Sequence, residues 1–547
     1  MDKNLLALWR HFPSGSIKIE TAAETLELST KQTTRHLQRW SAEGWLKYTA
    51  GRGRGNASQL EWHKEVEQIY EEQMLKMLDE EPVEHASKYL LYDWSDACRL
   101  RLMNKFHTKF GYIQQSDDRL IVPRRRPFIT THPVEATDAH SARIVANVYN
   151  RLITMTETDA ILPEIAHSWE VTPTRLRLYL KKDIAFHDGS ILTSNDVVNC
   201  LEKLRVHHFY RDIWSPVEAI TAPAPLVVDI HFPSGCSYCL HILGSFNCSI
   251  YKENNGQLLG TGAFHISENN EKKTTLTAFS DYFQERPLLD AVEFVQVPET
   301  FDMIYHSALE EEKHSTFQVE SSSGFGVVIM NIFRDSDIQR KEIRDYIHAI
   351  IAKNRHTIGT FEPRASASDR ICRNSEPCSL PEVTRPIFTK PIVIRTTEHT
   401  KSTTDWLIEC LEKEGVPVEV LSLTFRESLT RRGANLQADL FIHGEIFELN
   451  EEFSFYNFVK NGYSPLKMIV NSEQSIGKIL DSYTTTPFEA WPALNAELEK
   501  LLAQESIMIP IYSEKRQIPF SSELMNVQIK HFGYVDFSKL WVRPVVN

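Results

Sequence analysis

A run of alternating glycine and arginine, Gly51-Arg52-Gly53-Arg54-Gly55-Asn56, separates two short segments in which apolar residues alternate. Leu46 and Tyr48 precede the run, and Leu60 and Trp62 follow it, so the pattern predicts two strands joined as a hairpin. Glycine lets the tip approach another molecule closely, and the two arginines suit phosphates or the minor groove. The alternative is a glycine-rich hairpin with solvated charges. The run does not match a dinucleotide-binding fingerprint, because its sixth residue is asparagine.

Three short helices are predicted before this hairpin. Two of them carry apolar residues at helical spacing, at Leu5, Leu8, Trp9 and Phe12 and then at Ile19, Ala22, Ala23 and Leu26. The third is expected to begin after an N-cap at Ser29 and to end near Gly44. One face of this third helix is predicted to pack inward, and it comprises Thr33, Leu37 and Trp40.

The opposite face of the third helix is polar and basic. A helix with donors near its N-terminus suits the major groove, so residues 1–62 are predicted to form a winged helix-turn-helix that binds double-stranded DNA. The predicted DNA-binding residues are Lys31, Gln32, Arg35, His36, Arg39, Arg52, Arg54 and Asn56.

Charge is distributed unevenly along the chain. The chain has 60 Lys and Arg against 73 Asp and Glu, a net charge of −13, which excludes a uniformly basic nucleic-acid coat. Residues 1–62 nevertheless carry +3, and the other 485 residues carry −16. A small basic head on a large acidic body indicates two functions in one chain.

Residues 63–118 are predicted to be a helical linker, with a second helix from about Ala86 to Phe110. Val66, Tyr70 and Met74 belong to an apolar stripe on its first helix. Either this stripe forms a homodimer stalk, since many helix-turn-helix proteins bind paired half-sites, or it packs on the neighbouring domain. The charged run 123–127 is expected to be a solvated linker or an edge strand.

From about residue 120, short β-rich runs alternate with helical stretches, which predicts α/β layers. A body of about 430 residues exceeds one ordinary core, so two lobes are expected. Strands are predicted within 175–180, 226–230, 291–295, 327–330 and 391–394, and helices at 194–205, 338–352, 402–414 and 490–503.

The sequence gives little support for an enzyme. Nucleophile-elbow, zinc-protease and phosphate-loop motifs do not occur, and we expect no cofactor. Cys236 and Cys239, with His241 nearby, lack a second pair to complete a zinc site and are expected to be packing residues. No apolar run is long enough for a signal peptide or a membrane helix, so the cytoplasm is the expected compartment and no membrane contact is expected.

Four stretches of the body resemble the family 5 extracellular solute-binding proteins, the receptors of peptide and nickel ABC transporters. Together with the predicted winged helix, they make the whole chain similar to SgrR-type transcriptional regulators of bacteria. The four stretches are AFHDGSILTSNDVV at 185–198, LGTGAF at 259–264, DYFQERPLLD at 281–290 and RKEIRDYI at 340–347.

The resemblance implies a type II periplasmic-binding-protein-like body, with lobe I at 119–300 completed by 505–547 and lobe II at 301–504. It implies a regulator that senses a small solute, sugar-related or a transported metabolite, in the inter-lobe cleft and controls transport or metabolic genes. The alternative is a cytosolic solute-binding or scaffold protein without DNA binding. Glu445 stands where peptide receptors have tryptophan. The expected cleft residues are Tyr149, Asn150, Phe325, Glu445 and Phe447.

Overall fold

The structure of the chain is a computed structural model. It describes residues 1–51, 58–107, 109–114, 118–156, 160–297, 316–372, 374–376, 383–430, 437–448, 450–461, 466–521, 524–530 and 534–542.

The N-terminal head combines three helices with a small antiparallel sheet. Its sheet has the order β1-β3-β2, and β1, a strand between the first two helices, is absent from the sequence prediction. Ser29 caps the third helix through a capping box with Gln32, as its position predicts. The elements are α1 (Lys3–His11), β1 (Gly15–Ile17), α2 (Ile19–Thr25), α3 (Thr30–Ala42), β2 (Leu46–Thr49) and β3 (Ser58–Trp62).

Three further helices complete the head rather than forming a separate linker. The apolar stripe of Val66, Tyr70 and Met74 is buried in the same core as α1 and α3. This burial favours packing within the chain over a dimer stalk for that stripe. The single helix predicted from Ala86 to Phe110 is divided by a 3-10 turn at Lys88–Leu91. The helices are α4 (Val66–Glu80), α5 (Val83–Ser87) and α6 (Asp96–His107).

Lobe I contains a five-stranded and a four-stranded sheet, in the orders β14-β15-β16-β5-β4 and β10-β11-β9-β8. Its first strand, at 111–114, pairs with the second, so lobe I begins before the predicted boundary at 119. Its elements are β4 (Gly111–Gln114), β5 (Asp118–Arg124), α7 (Ala139–Val148), β6 (Ile153–Met155), β7 (Ile161–Pro163), β8 (Ala166–Thr172), β9 (Arg175–Leu180), α8 (Ser194–Val206), β10 (Ala219–Ala224), β11 (Val227–His231), α9 (Cys239–Leu243), β12 (Lys252–Asn254), β13 (Gln257–Leu259), β14 (Phe264–Asn269), β15 (Lys273–Ala278) and β16 (Ala291–Gln296).

Lobe II is built on a six-stranded sheet of the order β18-β22-β17-β21-β19-β20. The strands and helices predicted for the body lie within these two lobes. Each of these segments could be predicted because it has a strong apolar pattern of its own. The elements are β17 (Thr316–Met330), α10 (Lys341–Asn354), β18 (Ala365–Ala367), β19 (Ile392–Thr396), α11 (Lys401–Lys413), β20 (Val418–Ser422), α12 (Phe425–Thr430), β21 (Leu440–Ile446), α13 (Glu451–Asn461), α14 (Leu466–Ser472), α15 (Gln474–Ser482), α16 (Trp491–Gln504) and β22 (Met508–Ser521).

The chain returns to lobe I later than predicted. β22 pairs with β17 in the lobe II sheet, so residues 508–521 belong to lobe II and not to lobe I. The segment after it does pack on lobe I, where Phe537 contacts Phe294 and Lys539 forms an ion pair with Glu285. Its strands are β23 (Leu524–Met525), β24 (Ile529–Lys530), β25 (Tyr534–Val535) and β26 (Trp541–Val542).

The head packs directly on lobe I. Ile121 of β5 and Val295 of β16 are buried in the core of the head. At the rim of this contact, Glu84 of α5 forms an ion pair of 3.2 Å with Lys273 of β15. This junction is apolar and also contains an ion pair. A movement of β5 or β16 would therefore displace residues in the core of the head.

Candidate DNA-binding face and inter-lobe cleft

The inward face of α3 is fully buried, with Thr33, Leu37 and Trp40 each 0 % exposed. This burial fixes the orientation of the helix and turns its basic face to solvent. On that face Lys31 and Arg35 are exposed, and neither forms an ion pair with a described residue. These two cations are therefore available to an anionic partner.

Other predicted DNA-binding residues are engaged by the head itself. The Gln32 side chain accepts from the backbone N–H and the hydroxyl of Ser29, at 3.1 and 2.8 Å. The Arg39 guanidinium pairs with Asp2, which also accepts from the Trp40 indole at 3.0 Å.

His36 is half-buried against the Trp40 ring, with their centroids 5.1 Å apart. Arg52, Arg54 and Asn56 lie outside the described residues. The surface that the structure describes is therefore centred on Lys31 and Arg35.

A cavity of about 110 Å³ lies between the lobes. Lobe I contributes the turn before α7, the 209–210 segment and the 245–247 segment, and lobe II contributes the end of β21 and helix α13. Its walls are aromatic, and they include Phe209, Tyr210, Phe246, Phe447, Phe453 and Phe458. Solute pockets usually occupy about 300–1,000 Å³, so this space between the lobes is smaller than an ordinary solute pocket.

The polar side chains of this cavity are strongly biased toward acceptors. Asp138, Glu445 and Glu448 line it, whereas Lys, Arg and His are absent from the described lining. Asp138 is 7 % exposed and Asn461 is 2 % exposed. Asp138 Oδ2 and Asn461 Oδ1 are buried and have no hydrogen-bond partner among the described residues.

The carboxylate of Glu448 bridges the lobes. Its Oε1 accepts from the backbone N–H of Phe246 at 3.2 Å. Burial raises the pKa of Glu448 to about 7, and the positive charge of Arg151 partly opposes this shift. Arg151 itself forms an ion pair with Glu164 and donates to the carbonyl of Gly244. Closure of the lobes therefore brings a carboxyl group that titrates near neutrality into the cleft.

Two of the five predicted cleft residues line this cavity. Glu445 and Phe447 line it, and Phe325 lies behind it with its ring centroid 4.8 Å from that of Phe447. Tyr149 and Asn150 are instead scaffold residues of lobe I. The Tyr149 hydroxyl donates to the carbonyl of Thr131 at 3.0 Å.

The polar atoms of the Asn150 side chain are likewise hydrogen-bonded within lobe I. Its amide donates to Glu164 at 2.7 Å and to the Tyr282 hydroxyl at 3.2 Å, and its oxygen accepts from Thr261 at 3.0 Å. Sequence reasoning missed Asp138 and Asn461, because an N-cap and a helix-terminal asparagine have no local signal for a ligand site.

Several contacts hold the lobes together. Lys467 of α14 pairs with Asp212 of lobe I at 2.8 Å and donates to the carbonyl of Phe209 at 3.0 Å. The guanidinium of Arg126 lies 4.7 Å from the ring centroid of Phe425 in lobe II. These contacts add to an aromatic contact between the lobes, in which Tyr238 packs on Tyr456 and Trp491 and His241 stacks on Phe488.

The motifs that carried the family resemblance build the scaffold. The His187 ring contacts the carbonyl of Gly262 at 3.1 Å and the backbone N–H of Gly260 at 3.3 Å. A Cβ atom at Gly260 or Gly262 would lie 2.0–2.5 Å from backbone atoms of Val148. Glycine is needed there because the two segments pack backbone to backbone.

The cysteine pair and Arg124 of the arginine run are buried. Cys236 and Cys239 are buried and free, and the described residues contain no group of metal-ligating side chains. Arg124 is fully buried in a central strand of the five-stranded sheet and donates to Thr274 at 2.6 Å. The expectation of a solvated linker or an edge strand at 123–127 is therefore wrong for Arg124. In the described part of the chain, no helix has both the length and the apolar character to cross a bilayer.

Two family models match the chain. "Sugar transport-related sRNA regulator N-term" matches residues 3–112, which comprise the head with its six helices. "Bacterial extracellular solute-binding proteins, family 5 Middle" matches residues 160–304 in the body. The order of these two regions resembles that of the SgrR-type regulators.

Relatives of SgrR type are similar over their whole length. The "HTH-type transcriptional regulator SgrR" of Photorhabdus laumondii is 21 % identical, with 100 % of this chain and 99 % of that protein covered. The protein of the same title from Yersinia pestis is 22 % identical with the same coverage. The order of head and body is therefore common to the chain and these relatives.

Solved structures confirm the type II solute-binding fold of the body. NikA from Brucella suis, in complex with Fe(III)-EDTA, is 14 % identical with a TM-score of 0.64, covering 78 % of this chain and 100 % of that one. DppA from Helicobacter pylori, in complex with the peptide STSA, is 15 % identical with a TM-score of 0.65, covering 78 % and 98 %. The 78 % of this chain that is covered corresponds in length to the body without the head.

Proposed function

We propose that this chain is a cytoplasmic, ligand-responsive regulator of transcription. Its head binds double-stranded DNA, and its body senses a small solute in the inter-lobe cleft. The observation that carries the proposal is an exposed basic face on a capped helix of a head that packs on a two-lobed solute-binding fold. The similarity to full-length HTH-type transcriptional regulators supports both parts.

The head is proposed to act as a winged helix, with α3 in the major groove and the 52–57 segment as the wing. Lys31 and Arg35 are the proposed contacts of α3 to the DNA phosphates, and Gln32 and His36 flank them. Arg52, Arg54 and Asn56 are proposed to extend the contact to the neighbouring backbone or minor groove. Since phosphate contacts release counterions, binding is expected to weaken steeply as salt rises.

The body is proposed to transmit ligand binding through β5. This strand buries Ile121 in the core of the head. The chain that follows β5 runs through Arg126, which contacts Phe425 of lobe II, to Asp138 at the cavity. A solute that stabilises the closed lobes shifts the head only by its preference for the closed over the open state.

The proposed units follow the predicted boundaries with the shifts described above. Residues 1–62 of the head are proposed to bind DNA, and the 63–118 region supports them and is proposed to contact a second copy of the chain through its exposed faces. The two lobes form the sensor of a solute of sugar metabolism or of a transported metabolite. A regulator of this kind acts without catalysis, so we propose that the chain is not an enzyme.

The test is an electrophoretic mobility shift of the full chain on the duplex upstream of its own gene and of neighbouring transporter genes. Binding at low salt that weakens as salt rises, and that falls in a Lys31→Ala, Arg35→Ala variant, supports the proposal. Absence of binding at low salt contradicts it. That outcome favours a cytosolic solute-binding or scaffold protein, for which the cavity alone is evidence.

A further inference from the structure

Two residues that line the inter-lobe cavity each have a buried oxygen acceptor without a hydrogen-bond donor. Asp138 Oδ2 and Asn461 Oδ1 lie on opposite lobes, are more than nine-tenths buried as residues, and have no partner among the described residues. A buried acceptor without a donor costs about 1–3 kcal/mol, and more if it is charged. A bound molecule that donates to both oxygens would remove this cost.

The charge of the lining restricts that molecule further. Asp138, Glu445 and Glu448 place three carboxyl groups around the cavity, and the described lining has no cationic side chain. The nearby arginines are already used: Arg126 lies 3.8 Å from Asp138 Oδ1 and over the Phe425 ring, and Arg151 pairs with Glu164. An anionic ligand would therefore enter a site without a free countercharge.

The aromatic walls of the cavity also favour a cation. Six aromatic side chains surround the space, and aromatic faces attract cations, most strongly where water is excluded. The hydroxyl of Tyr210 and those of Ser245 and Ser454 also line the cavity and suit a ligand that carries hydroxyl groups beside its charge. The small volume excludes a long peptide from the closed form.

Resting on the proposed sensor function, we infer that the cleft binds a small organic cation, a protonated primary amine that donates to Asp138 and Asn461. An ammonium group has three donors and no acceptor, which matches the two unpartnered oxygens and leaves one donor for a carboxylate. Charge-assisted hydrogen bonds of this kind are about twice as strong as neutral ones. A phosphorylated sugar lacks these donors at its charged end and is disfavoured.

Calorimetric titration of the full chain tests this inference with four solutes. Glucose, glucosamine and glucose 6-phosphate share one ring and differ in charge, and ethanolamine is a minimal amine. At least one of the two amines is expected to bind about tenfold or more tighter than glucose, and glucose 6-phosphate is expected to bind weakest. Glucose or glucose 6-phosphate binding as tightly as the amines, or no binding of either amine, overturns the inference.

Three variants assign the effect to the cavity. Asp138→Asn keeps the N-cap of α7, because asparagine also accepts from the backbone N–H groups of His140 and Ser141, and it removes the charge. It is expected to weaken amine binding about tenfold, whereas Asn461→Asp adds a charge and is expected to strengthen it. Glu218→Gln removes one exposed charge elsewhere on lobe I and is expected to leave it unchanged.

These outcomes separate the two proposals. DNA binding by the solute-free chain is measured on the same preparations. If DNA binding persists and the amines fail, the ligand class is wrong while the regulator stands. If an amine binds and DNA does not, the ligand class stands while the proposed function fails. Equal amine affinity in the wild type and in both the Asp138→Asn and Asn461→Asp variants places the amine outside this cavity and overturns the inference.

Discussion

Removal of Lys31 and Arg35, the exposed cations of α3 that form no ion pair with a described residue, is expected to weaken DNA binding without unfolding the head. In the variant Lys31→Ala, Arg35→Ala, neither side chain leaves an ion-pair partner behind among the described residues. Surface changes of this kind alter stability by about 0.5 kcal/mol or less. The inward face of Thr33, Leu37 and Trp40 is untouched, so the helix keeps its place.

The magnitude follows from counterion release. Each phosphate contact contributes about 0.9 to the slope of log affinity against log salt, so two lost contacts lower the slope by about 1.8. At 0.1 M salt this corresponds to an affinity loss of about sixtyfold. Fluorescence anisotropy of a labelled 30-base-pair duplex at several salt concentrations measures both quantities.

A matched variant makes the measurement specific. Lys76→Ala, Lys105→Ala removes the same charge from α4 and α6, where these lysines pair with Glu80 and Asp79. This control is expected to keep the salt slope within experimental error. An unchanged slope in the α3 variant, or an equal loss in the control, would refute α3 as the binding face.

Three further outcomes follow from the structure. Gly262→Ala, whose Cβ would meet backbone atoms at 2.4 Å, is expected to lower stability by about 1–3 kcal/mol in thermal unfolding, whereas Gly477→Ala, with open space around its Cβ, should not. Burial lowers the pKa of His348 to about 4, so this histidine should contribute a loss of stability of up to about 1.4 kcal/mol per pH unit as the pH falls from about 6.5 to 4. Because burial also lowers the pKa of His187 and of His241 to about 4, His348→Gln is expected to remove only its own share of this fall in thermal scans from pH 7 to 5. Lys467→Ala removes the contacts of Lys467 to Asp212 and to the carbonyl of Phe209, whereas Tyr238 and His241 of lobe I keep their aromatic partners on lobe II. It is therefore expected to lower stability in thermal unfolding by about 1 kcal/mol and to leave the radius of gyration in small-angle scattering unchanged, with Lys478→Ala changing neither; a larger radius for Lys467→Ala would contradict this account of the lobe contact.

The head was the more predictable part of the chain. Ser29 caps α3 and Thr33, Leu37 and Trp40 pack inward because capping and helical periodicity are local signals. The pairing of Arg39 with Asp2 was not predictable in this way, because the two residues are distant in sequence and meet only when α1 packs on α3.

The cleft was harder to predict, because it forms between segments that are far apart in the chain. Tyr149 and Asn150 stand at the end of α7, where a cleft residue was expected, yet the scaffold of lobe I uses their polar atoms. Asp138 has the sequence pattern of an ordinary N-cap, and only the tertiary structure shows that its second oxygen is left without a donor. Motif matching found the fold because its glycines and turns are scaffold positions.

The coupling between cleft and head is the central claim, and one titration tests it directly. The affinity of the full chain for its upstream duplex is measured with and without a saturating amine that binds the cavity. We expect the amine to change DNA affinity, the DNA to change amine affinity by the same factor, and both effects to be lost in Asp138→Asn. An identical DNA affinity in the presence and absence of a cavity-bound amine would contradict the account.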